Sequence, residues 1–264
     1  MYSHDSIKLS GKMMVFYNLA LLIGRKVNTD QKDGNFWKIE NENLFLLEGV
    51  SMTVLFDLDG TILGRKEEGK LRNYIARKLQ VPKISKKEYY EACREVIRNS
   101  KVDTRLPIFE RILNNGELAD QLAEDYRKRA LDYTFVYPDA KEVLQNLEVK
   151  KGLVTNGPRL VQWEKIKKFD LMQYFRTIVI SGEFGRSKPG PEIFLRALEN
   201  LGSSPEETVY VGDSPEMDIN GASNAGLTSV LISRDVDPPG PEPDYKIEDL
   251  RELYDIVKEI NDSG

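Results

Sequence analysis

The chain has 264 residues and carries 38 Lys and Arg against 43 Asp and Glu, which gives a net charge of −5 at neutral pH. This length is sufficient for one large domain or two smaller ones with a sizeable apolar core. The acidic balance disfavours nucleic acid or an anionic membrane surface as a partner. A single histidine, His4, and a single cysteine, Cys93, exclude Ser-His-Asp and Cys-His catalysis, zinc fingers and an intrachain disulfide. The high charge and low cysteine content are typical of thermophilic proteins.

Residues 1–51 form a predicted N-terminal extension with weaker hydrophobic periodicity than the rest of the chain. Its apolar run at 13–23 is shorter than the ~20 residues that a membrane-spanning helix needs, and no small-residue cleavage site follows it. We therefore expect a cytoplasmic protein. Two interpretations of the extension stay open. It is either a non-native or disordered stretch, with translation starting at Met52, or a short docking segment.

Short apolar runs alternate with helical patterns from residue 52 onward. Such runs are typical of parallel strands that are buried on both faces. They predict strands over residues 53–56, 152–154, 177–180, 208–211, 229–232 and 245–247. Helical periodicity, with proline near several starts and glycine just past two ends, predicts helices over 139–147, 158–169, 191–201, 215–225 and 250–260. The alternation predicts an α/β fold with a doubly wound, Rossmann-like parallel sheet.

An oversized connection separates the first two predicted strands of the sheet. It reads as helices over residues 67–79, 86–100, 106–114 and 118–133. A parallel crossover needs only one helix, so the extra helices predict an inserted all-helical cap domain over the carboxyl edge of the sheet. The predicted cap spans 64–135, and the catalytic core combines 52–63 with 136–264. Arg65 and Lys66 lie at the expected hinge between them.

Polar residues follow the predicted strands at their carboxyl ends. They are Asp57 and Asp59 after the first strand, Thr155 and Asn156 after the second, Lys188 after the third, and Asp213 with Asp218 after the fourth. Ligands of open α/β sheets bind outside the carboxyl ends of the strands. We therefore expect these side chains to line one crevice beneath the cap.

The same residues form an ordered set of motifs. The motifs are Asp57-Leu58-Asp59-Gly60-Thr61, Thr155-Asn156-Gly157, Lys188-Pro189 and Gly212-Asp213-Ser214 with Asp218. In this order they closely resemble the haloacid-dehalogenase-like (HAD) hydrolase superfamily, and the resemblance extends over about residues 52–260. The position of the insertion resembles subfamily I, in which a helical cap follows the first motif. The resemblance implies a phosphatase-type enzyme.

The resemblance implies a different catalytic role for each of two carboxylates and one lysine. Asp57 would attack phosphorus and form an aspartyl-phosphate, since an aspartate with a pKa of about 4 is anionic at neutral pH. Asp59 would protonate the leaving alkoxide and then activate water against the acyl-phosphate. Lys188 would neutralise the charges of the nucleophile and the phosphoryl group.

A magnesium ion is the cofactor that the resemblance implies, because Mg²⁺ prefers oxygen ligands. Its ligands would be the Asp57 side chain, the Asp59 backbone carbonyl and the Asp213 side chain, with Asp218 as an anchor or further acidic group behind them. The Thr155 hydroxyl and the N–H of Asn156 or Gly157 would bind the substrate phosphate at the start of a helix, together with Lys188.

The predicted function is Mg²⁺-dependent removal of phosphate from a small phosphomonoester. Alternatives within the superfamily are a 2-haloacid dehalogenase and a phosphomutase. Asp59 and the implied cation site favour phosphoryl chemistry over dehalogenation. An alternative of another class is a non-catalytic phosphate-sensing or interaction module. Neither a Walker A motif nor a GxGxxG motif is present, so an ATPase or a dinucleotide enzyme is not supported. The expected partner is a small phosphorylated metabolite, and the oligomeric state stays open.

The predicted cap offers few signals for the identity of the substrate. Its polar loop at 101–105 carries Lys101 and Arg105, either of which could contact the distal group of a substrate. The interpretation that we favour from sequence is a solvated connector. Tyr89, Tyr90 and Tyr126 are predicted to pack in the cap core rather than to contact substrate.

Overall fold

The computed structural model describes residues 52–66, 84–234 and 239–263, together with Tyr74, Arg77, Lys78 and Gln80. The interpretations of the extension at 1–51 and of most of the predicted helix at 67–79 lie outside the described residues. Within the described part of the chain, no helix is both long and apolar enough to cross a membrane.

The described strands are β1 (Thr53–Phe56), β2 (Leu63–Arg65), β3 (Thr134–Val136), β4 (Lys150–Thr155), β5 (Thr177–Ile180), β6 (Thr208–Gly212), β7 (Thr228–Ile232) and β8 (Tyr245–Ile247). Within the described residues, a parallel sheet of six strands has the order β5-β4-β1-β6-β7-β8. The order reverses direction beside β1, which places a crevice at its carboxyl end. The predicted doubly wound sheet is confirmed.

The central strand β1 is apolar at three of its four positions because both faces of the sheet are covered. Val54 and Phe56 belong to the apolar cluster on one face of the sheet, whereas Leu55 belongs to the cluster on the other face. All of these side chains are fully buried. Because side chains alternate between the faces of a strand, a strand covered on both sides favours apolar residues along its length. The one polar residue of β1, Thr53 at its start, is buried, and its hydroxyl lies 2.7 Å from Ser203 Oγ. The first polar site residue, Asp57, comes directly after the end of β1.

The helices of the described segments 84–234 and 239–263 flank the sheet or lie within the predicted cap. They are α1 (Lys86–Ile97), α2 (Leu106–Leu113), α3 (Gly116–Ala130), α4 (Pro138–Asn146), α5 (Arg159–Lys168), α6 (Ser181–Phe184), α7 (Glu192–Leu201), α8 (Asn220–Asn224) and α9 (Leu253–Ser263). The short α6 is not predicted from the sequence. The predicted helix at 250–260 begins with a 3₁₀ turn, Leu250–Glu252, and continues as α9.

The predicted helix over 215–225 is interrupted at its start. A π-helical turn, Pro215–Ile219, precedes α8, and the N–H of Asn220 donates to the carbonyl of Pro215. The turn is wide because the Asp218 carboxylate accepts hydrogen bonds inside the crevice, including one from the N–H of Ser214 at 2.9 Å. Such π-turns recur at functional sites, where a side chain needs an orientation that a regular helix does not provide.

An antiparallel ribbon of β2 and β3 joins the core to the segment 64–135 that is predicted as the cap. This ribbon is not predicted from the sequence. Helices α1, α2 and α3 of the segment enclose their own apolar cluster, which includes Tyr89, Phe109 and Tyr126. Tyr89 and Tyr126 are buried as predicted, but Tyr90 is 40% exposed, so its predicted place in the core is wrong. The division into cap and core domains stays a prediction.

The loop at 101–105 connects α1 to α2 and is bonded to the core through backbone atoms. The Val102 N–H donates to the carbonyl of Gly182 at 2.8 Å, and the Val102 carbonyl accepts from the N–H of Arg159 at 2.7 Å. The Asp103 carbonyl accepts from the N–H of Leu160 at 3.0 Å. A side chain at position 182 would have no room, because its Cβ would lie 2.4 Å from the Val102 carbonyl oxygen.

Replacing Gly182 with alanine should therefore destabilise the protein. We expect the free energy of unfolding in urea to fall by about 1–3 kcal/mol, the usual effect of overpacking. Gly116→Ala is the matched control, since the nearest atom to its Cβ would be Glu110 Oε1 at 3.9 Å. An equal stability of the two variants would contradict the close approach of the 101–105 loop to the core.

Candidate active site

The predicted site residues meet at the carboxyl edge of the sheet. Asp57 follows β1, Thr155 ends β4, and Asp213 follows β6. A cavity of about 1160 Å³ opens between this edge and helix α1. Its lining includes every predicted core site residue: Asp57, Asp59, Thr155, Asn156, Lys188, Asp213 and Asp218.

Lys188 is the buried centre of an ionic network at this edge. Its Nζ donates to Asp57 Oδ1 and to Asp218 Oδ1 at 2.6 Å each, and lies 2.8 Å from the Tyr210 hydroxyl. Burial works against its charge, but Asp218 and Asp57 hold the pKa of Lys188 above its usual value. Burial also raises the pKa of Asp57 to about 7, and the Lys188 charge opposes this shift. The nucleophile candidate therefore needs positive charge beside it to be anionic at neutral pH.

The polar residues after β4 mostly position other groups. The Asn156 side chain accepts from the backbone N–H of Lys188 and donates to its carbonyl, at 3.0 Å in each case. The Gly157 N–H donates to Ser181 Oγ at 2.9 Å, so it is not available to a phosphate. Of the two backbone donors predicted for the phosphate, the Asn156 N–H is the one that remains. The Thr155 hydroxyl lies on the cavity and accepts from Gln162 Nε2 at 2.7 Å.

Asp59 has a different environment from Asp57. Its carboxylate accepts from Lys165 Nζ at 2.6 and 2.8 Å, from Arg65 Nη2 at 3.0 Å and from Gln162 Nε2 at 3.0 Å. Burial would raise its pKa, but Lys165 and Arg65 hold the pKa of the Asp59 carboxyl well below its usual range. Burial lowers the pKa of Lys165 to about 7, although Asp59 opposes this shift. The carboxylate is therefore ionised in this arrangement.

Gln162 and Lys165 are site residues that the sequence analysis missed. They lie on α5, three positions apart, and the lysine Nζ donates to the Gln162 side chain at 2.6 Å. Both are buried on the same face as Val161 and Ile166. Polar residues on the core-facing side of a predicted helix were the available signal. Tyr210 was also missed, because it lies within β6, which reads as a buried strand with no charged residue.

Three carboxylates of the site could hold a metal ion together. Oxygen atoms of Asp57, Asp213 and Asp218 lie within 4.8 Å of one another. Asp218 is already engaged through both oxygens, by Lys188 and by the Ser214 N–H. Asp213 receives no hydrogen bond from any residue that the structure describes. Burial and the charges of Asp218 and Asp57 raise its pKa well above the usual value.

This concentration of carboxylates fits a hard divalent cation. Mg²⁺ prefers oxygen ligands and would offset the mutual repulsion that raises the pKa of Asp213. Gly60 makes the approach of Asp213 to the first motif possible, since a Cβ there would lie 2.1 Å from Asp213 Oδ2. Its φ of +93° also favours glycine. The side chains of Asp57 and Asp213 could therefore bind the metal ion, whereas both carboxylate oxygens of Asp218 already accept hydrogen bonds from Lys188 and Ser214.

The two cations of the 101–105 loop have different environments. Lys101 is exposed and lines a separate, smaller cavity with Asp103 and Arg159. Arg105 is 5% exposed and lines the main cavity. The interpretation of this loop as a solvated connector is therefore wrong for Arg105.

Comparisons with known proteins agree with this geometry. The family described as haloacid dehalogenase-like hydrolase matches the chain over residues 54–232. A glyceraldehyde 3-phosphate phosphatase of Methanopyrus kandleri is 34% identical over 226 residues, which cover 78% of this chain and 97% of that protein. An N-acylneuraminate-9-phosphatase of Mus musculus is 32% identical over 234 residues, which cover 79% of this chain and 94% of that protein.

Solved structures give the same result. A HAD phosphatase from Thermococcus onnurineus is 32% identical with a TM-score of 0.59, and the match covers 78% of this chain and 97% of that one. The HAD-hydrolase YfnB from Bacillus subtilis, bound to magnesium, is 25% identical with a TM-score of 0.61, over 79% of this chain and 99% of that one. The resemblance predicted from the motifs is confirmed, and the chain belongs to the haloacid dehalogenase-like hydrolase family.

Proposed function

We propose that this protein is a Mg²⁺-dependent phosphatase that hydrolyses a small phosphomonoester through a phosphoryl group carried on Asp57. The observation that carries the proposal is the pair of carboxylates two residues apart on one cavity, held in opposite environments. Asp57 lies beside Lys188 and Asp213, whereas Asp59 is bound by Lys165 and Arg65. Environments that separate two carboxylates in this way support different roles in catalysis. The relatives named as phosphatases support the same reaction.

In the first step, a carboxylate oxygen of Asp57 attacks phosphorus and the bond from phosphorus to the ester oxygen breaks. Lys188 donates to Oδ1 of Asp57, and Oδ2, which accepts no hydrogen bond from a described residue, is the proposed attacking oxygen. The Lys188 ammonium balances the charge of the phosphoryl group during the transfer. The Thr155 hydroxyl and the Asn156 N–H are the proposed further contacts of the phosphate.

Asp59 gives a proton to the departing ester oxygen in the first step. To be protonated, Asp59 has to give up part of its contact with Lys165 and Arg65, because both cations stabilise its ionised form. In the second step Asp59 has to be ionised, as it is when Lys165 and Arg65 bind its carboxylate. The ionised Asp59 takes a proton from water, the water oxygen bonds to phosphorus, and Asp57 leaves as a carboxylate.

The metal site completes the proposal. The Asp57 and Asp213 side chains and the Asp59 backbone carbonyl are the proposed ligands, and Asp218 anchors Lys188 behind them. When bound, Mg²⁺ would offset the negative charge of the carboxylates and of the phosphate. The magnesium-bound structure of YfnB supports this cofactor.

The proposal extends to the location, the partner and the domain arrangement of the enzyme. We propose a cytoplasmic location and a small phosphorylated metabolite as partner. The net charge of −5 disfavours nucleic acid or an anionic membrane surface as a partner. We also propose that residues 64–135 act as a cap on a core of 52–63 and 136–264. No observation in the described residues favours a dehalogenase, a mutase or a non-catalytic module over the phosphatase.

Asp57→Asn should abolish turnover, since the amide keeps the size of the side chain but is not an anionic nucleophile. We expect at least about a 10³-fold loss of phosphate release from p-nitrophenyl phosphate and a panel of small phosphomonoesters. The measurement is made with Mg²⁺ and with EDTA, and Asp120→Asn, an exposed aspartate on α3, is the control. Release by Asp57→Asn at the wild-type rate would refute the nucleophile assignment.

Asp59→Asn should separate the two steps. p-Nitrophenolate leaves without protonation, so the first step proceeds, but the second lacks its base. Rapid mixing with p-nitrophenyl phosphate should give a burst of about one p-nitrophenolate per enzyme, followed by slow turnover. An alkyl phosphate should give no comparable burst of alcohol. Equal slowing of both substrates without a burst would argue against the acid–base role of Asp59.

Asp213→Asn should weaken the binding of Mg²⁺, because it removes an anionic ligand. We expect the Mg²⁺ concentration for half-maximal activity to rise about tenfold or more. Glu216→Gln is the control, since Glu216 lines the same cavity but is exposed and paired with Arg94. Unchanged metal dependence in Asp213→Asn would exclude Asp213 as a ligand.

A further inference from the structure

Arg105 is a buried cation on the wall of the cavity. It precedes the first residue of α2, and 5% of its surface is exposed. Its Nε donates to the Tyr89 hydroxyl at 3.1 Å, and its guanidinium carbon lies 4.7 Å from the centre of the Tyr126 ring. These contacts fix the plane of the guanidinium group but supply no negative charge.

The other buried cations of the cavity each have a carboxylate partner. Lys188 is paired with Asp57 and Asp218, and Lys165 is paired with Asp59. Among the described residues, Arg105 forms no ion pair, and its two Nη groups donate no hydrogen bond. A buried charge without a partner is unfavourable, because the water that solvated it has not been replaced. An anion entering the cavity would supply the negatively charged partner that Arg105 does not find among the described residues.

Arg105 lies on the Asp59 side of the cavity. Its charged neighbours include Arg65 and Lys165, the two cations that bind the Asp59 carboxylate. In the proposed reaction Asp59 contacts the ester oxygen of the leaving group. A group held by Arg105 therefore belongs to the leaving group rather than to the phosphate under attack.

The position of Arg105 relative to the core is held by the backbone of its own loop. Val102 and Asp103 are hydrogen-bonded to Gly182, Arg159 and Leu160 of the core. The Asp103 carboxylate also accepts from Arg159 Nε at 2.6 Å. A side chain two or three residues from these bonds is presented to the cavity at a defined place, as a specificity residue requires.

We infer that Arg105 binds a carboxylate on the alcohol part of the substrate, so that the preferred substrates are phosphomonoesters with a carboxylate near the ester oxygen. The planar guanidinium matches a carboxylate through two parallel hydrogen bonds. One unpaired cation also balances one carboxylate charge, whereas a second phosphate group would bring more negative charge. This inference rests on the proposed phosphatase function and extends it to a substrate class.

The test compares substrates that differ only in the carboxylate. The pairs are phosphoglycolate with 2-hydroxyethyl phosphate, and phosphoserine with phosphoethanolamine. For the wild type we expect kcat/KM to be about 10- to 100-fold higher for the carboxylate member of a pair, the usual effect of a charged hydrogen-bonded contact. In Arg105→Gln this ratio should fall towards one. In Arg105→Lys it should be intermediate, because lysine keeps the charge but loses the two-pronged geometry.

Arg98→Gln is the matched control, because Arg98 lines the same cavity but is exposed to solvent. Arg98→Gln removes the same charge, and the ratio of kcat/KM between the two substrates of a pair should stay at the wild-type value. An equal fall in Arg98→Gln would mean that the general positive field, and not Arg105, sets the preference, and would overturn the inference. A wild-type ratio near one, or a higher kcat/KM for ethylene glycol bisphosphate than for phosphoglycolate, would overturn it as well.

The failure of the proposed function has a different signature. The wild type would then release no phosphate from any ester, p-nitrophenyl phosphate included. If Arg105→Gln does not fold, as judged by circular dichroism, inhibition of the wild type by glycolate and by ethylene glycol takes its place. Stronger competitive inhibition by glycolate supports the inference, and equal inhibition overturns it.

Discussion

The ion cluster of Lys188 with Asp57 and Asp218 is the constraint on which the rest of the site depends. Its members come from separate parts of the chain, and each is almost completely removed from solvent. Buried charges of this kind are stable only when every member is paired, so displacing one exposes the others to a large desolvation penalty. The cluster therefore fixes the distance between the end of β1 and the turn after β6.

Much of the surrounding polar structure maintains this cluster. The Asn156 side chain holds the backbone of Lys188 through a pair of hydrogen bonds, and the Tyr210 hydroxyl accepts a hydrogen bond from Lys188 Nζ. The wide turn at Pro215–Ile219 orients Asp218 towards the lysine. The Asn156 side chain, Tyr210 and this turn touch no substrate in the proposed reaction, yet they hold the proposed nucleophile Asp57 and the Lys188 ammonium next to each other. Positioning and electrostatics are most of what phosphoryl transfer asks of a protein.

The sequence predicts the sheet and the residues at its carboxyl edge, and it does so for a simple physical reason. A strand buried on both faces is mostly apolar, so the first charged residue after it, such as Asp57, marks the edge. Gln162 and Lys165 follow no such rule. They lie within a helix, and only the packing of α5 against the sheet shows that their side chains reach Asp59.

Other features depend on tertiary contacts in the same way. The sequence places Arg65 at a hinge, but its pairing with Asp59 depends on the ribbon of β2 and β3. The occupation of the Gly157 N–H by Ser181 requires β4 and β5 to be neighbours. The burial of Arg105 depends on the aromatic cluster around Tyr126. The sequence of the 101–105 loop alone does not predict this contact.

The backbone bonds of the 101–105 loop have a consequence for how this protein can diversify. The backbone bonds of Val102 and Asp103 do not depend on the side chain at position 105, so a substitution there leaves this anchor in place. Insertions or deletions within the loop would instead move Val102 and Asp103 away from Gly182, Arg159 and Leu160, their backbone partners. Under the proposed role of Arg105, a point mutation at position 105 changes the substrate preference and leaves these backbone bonds in place, whereas a change in the length of the loop breaks them.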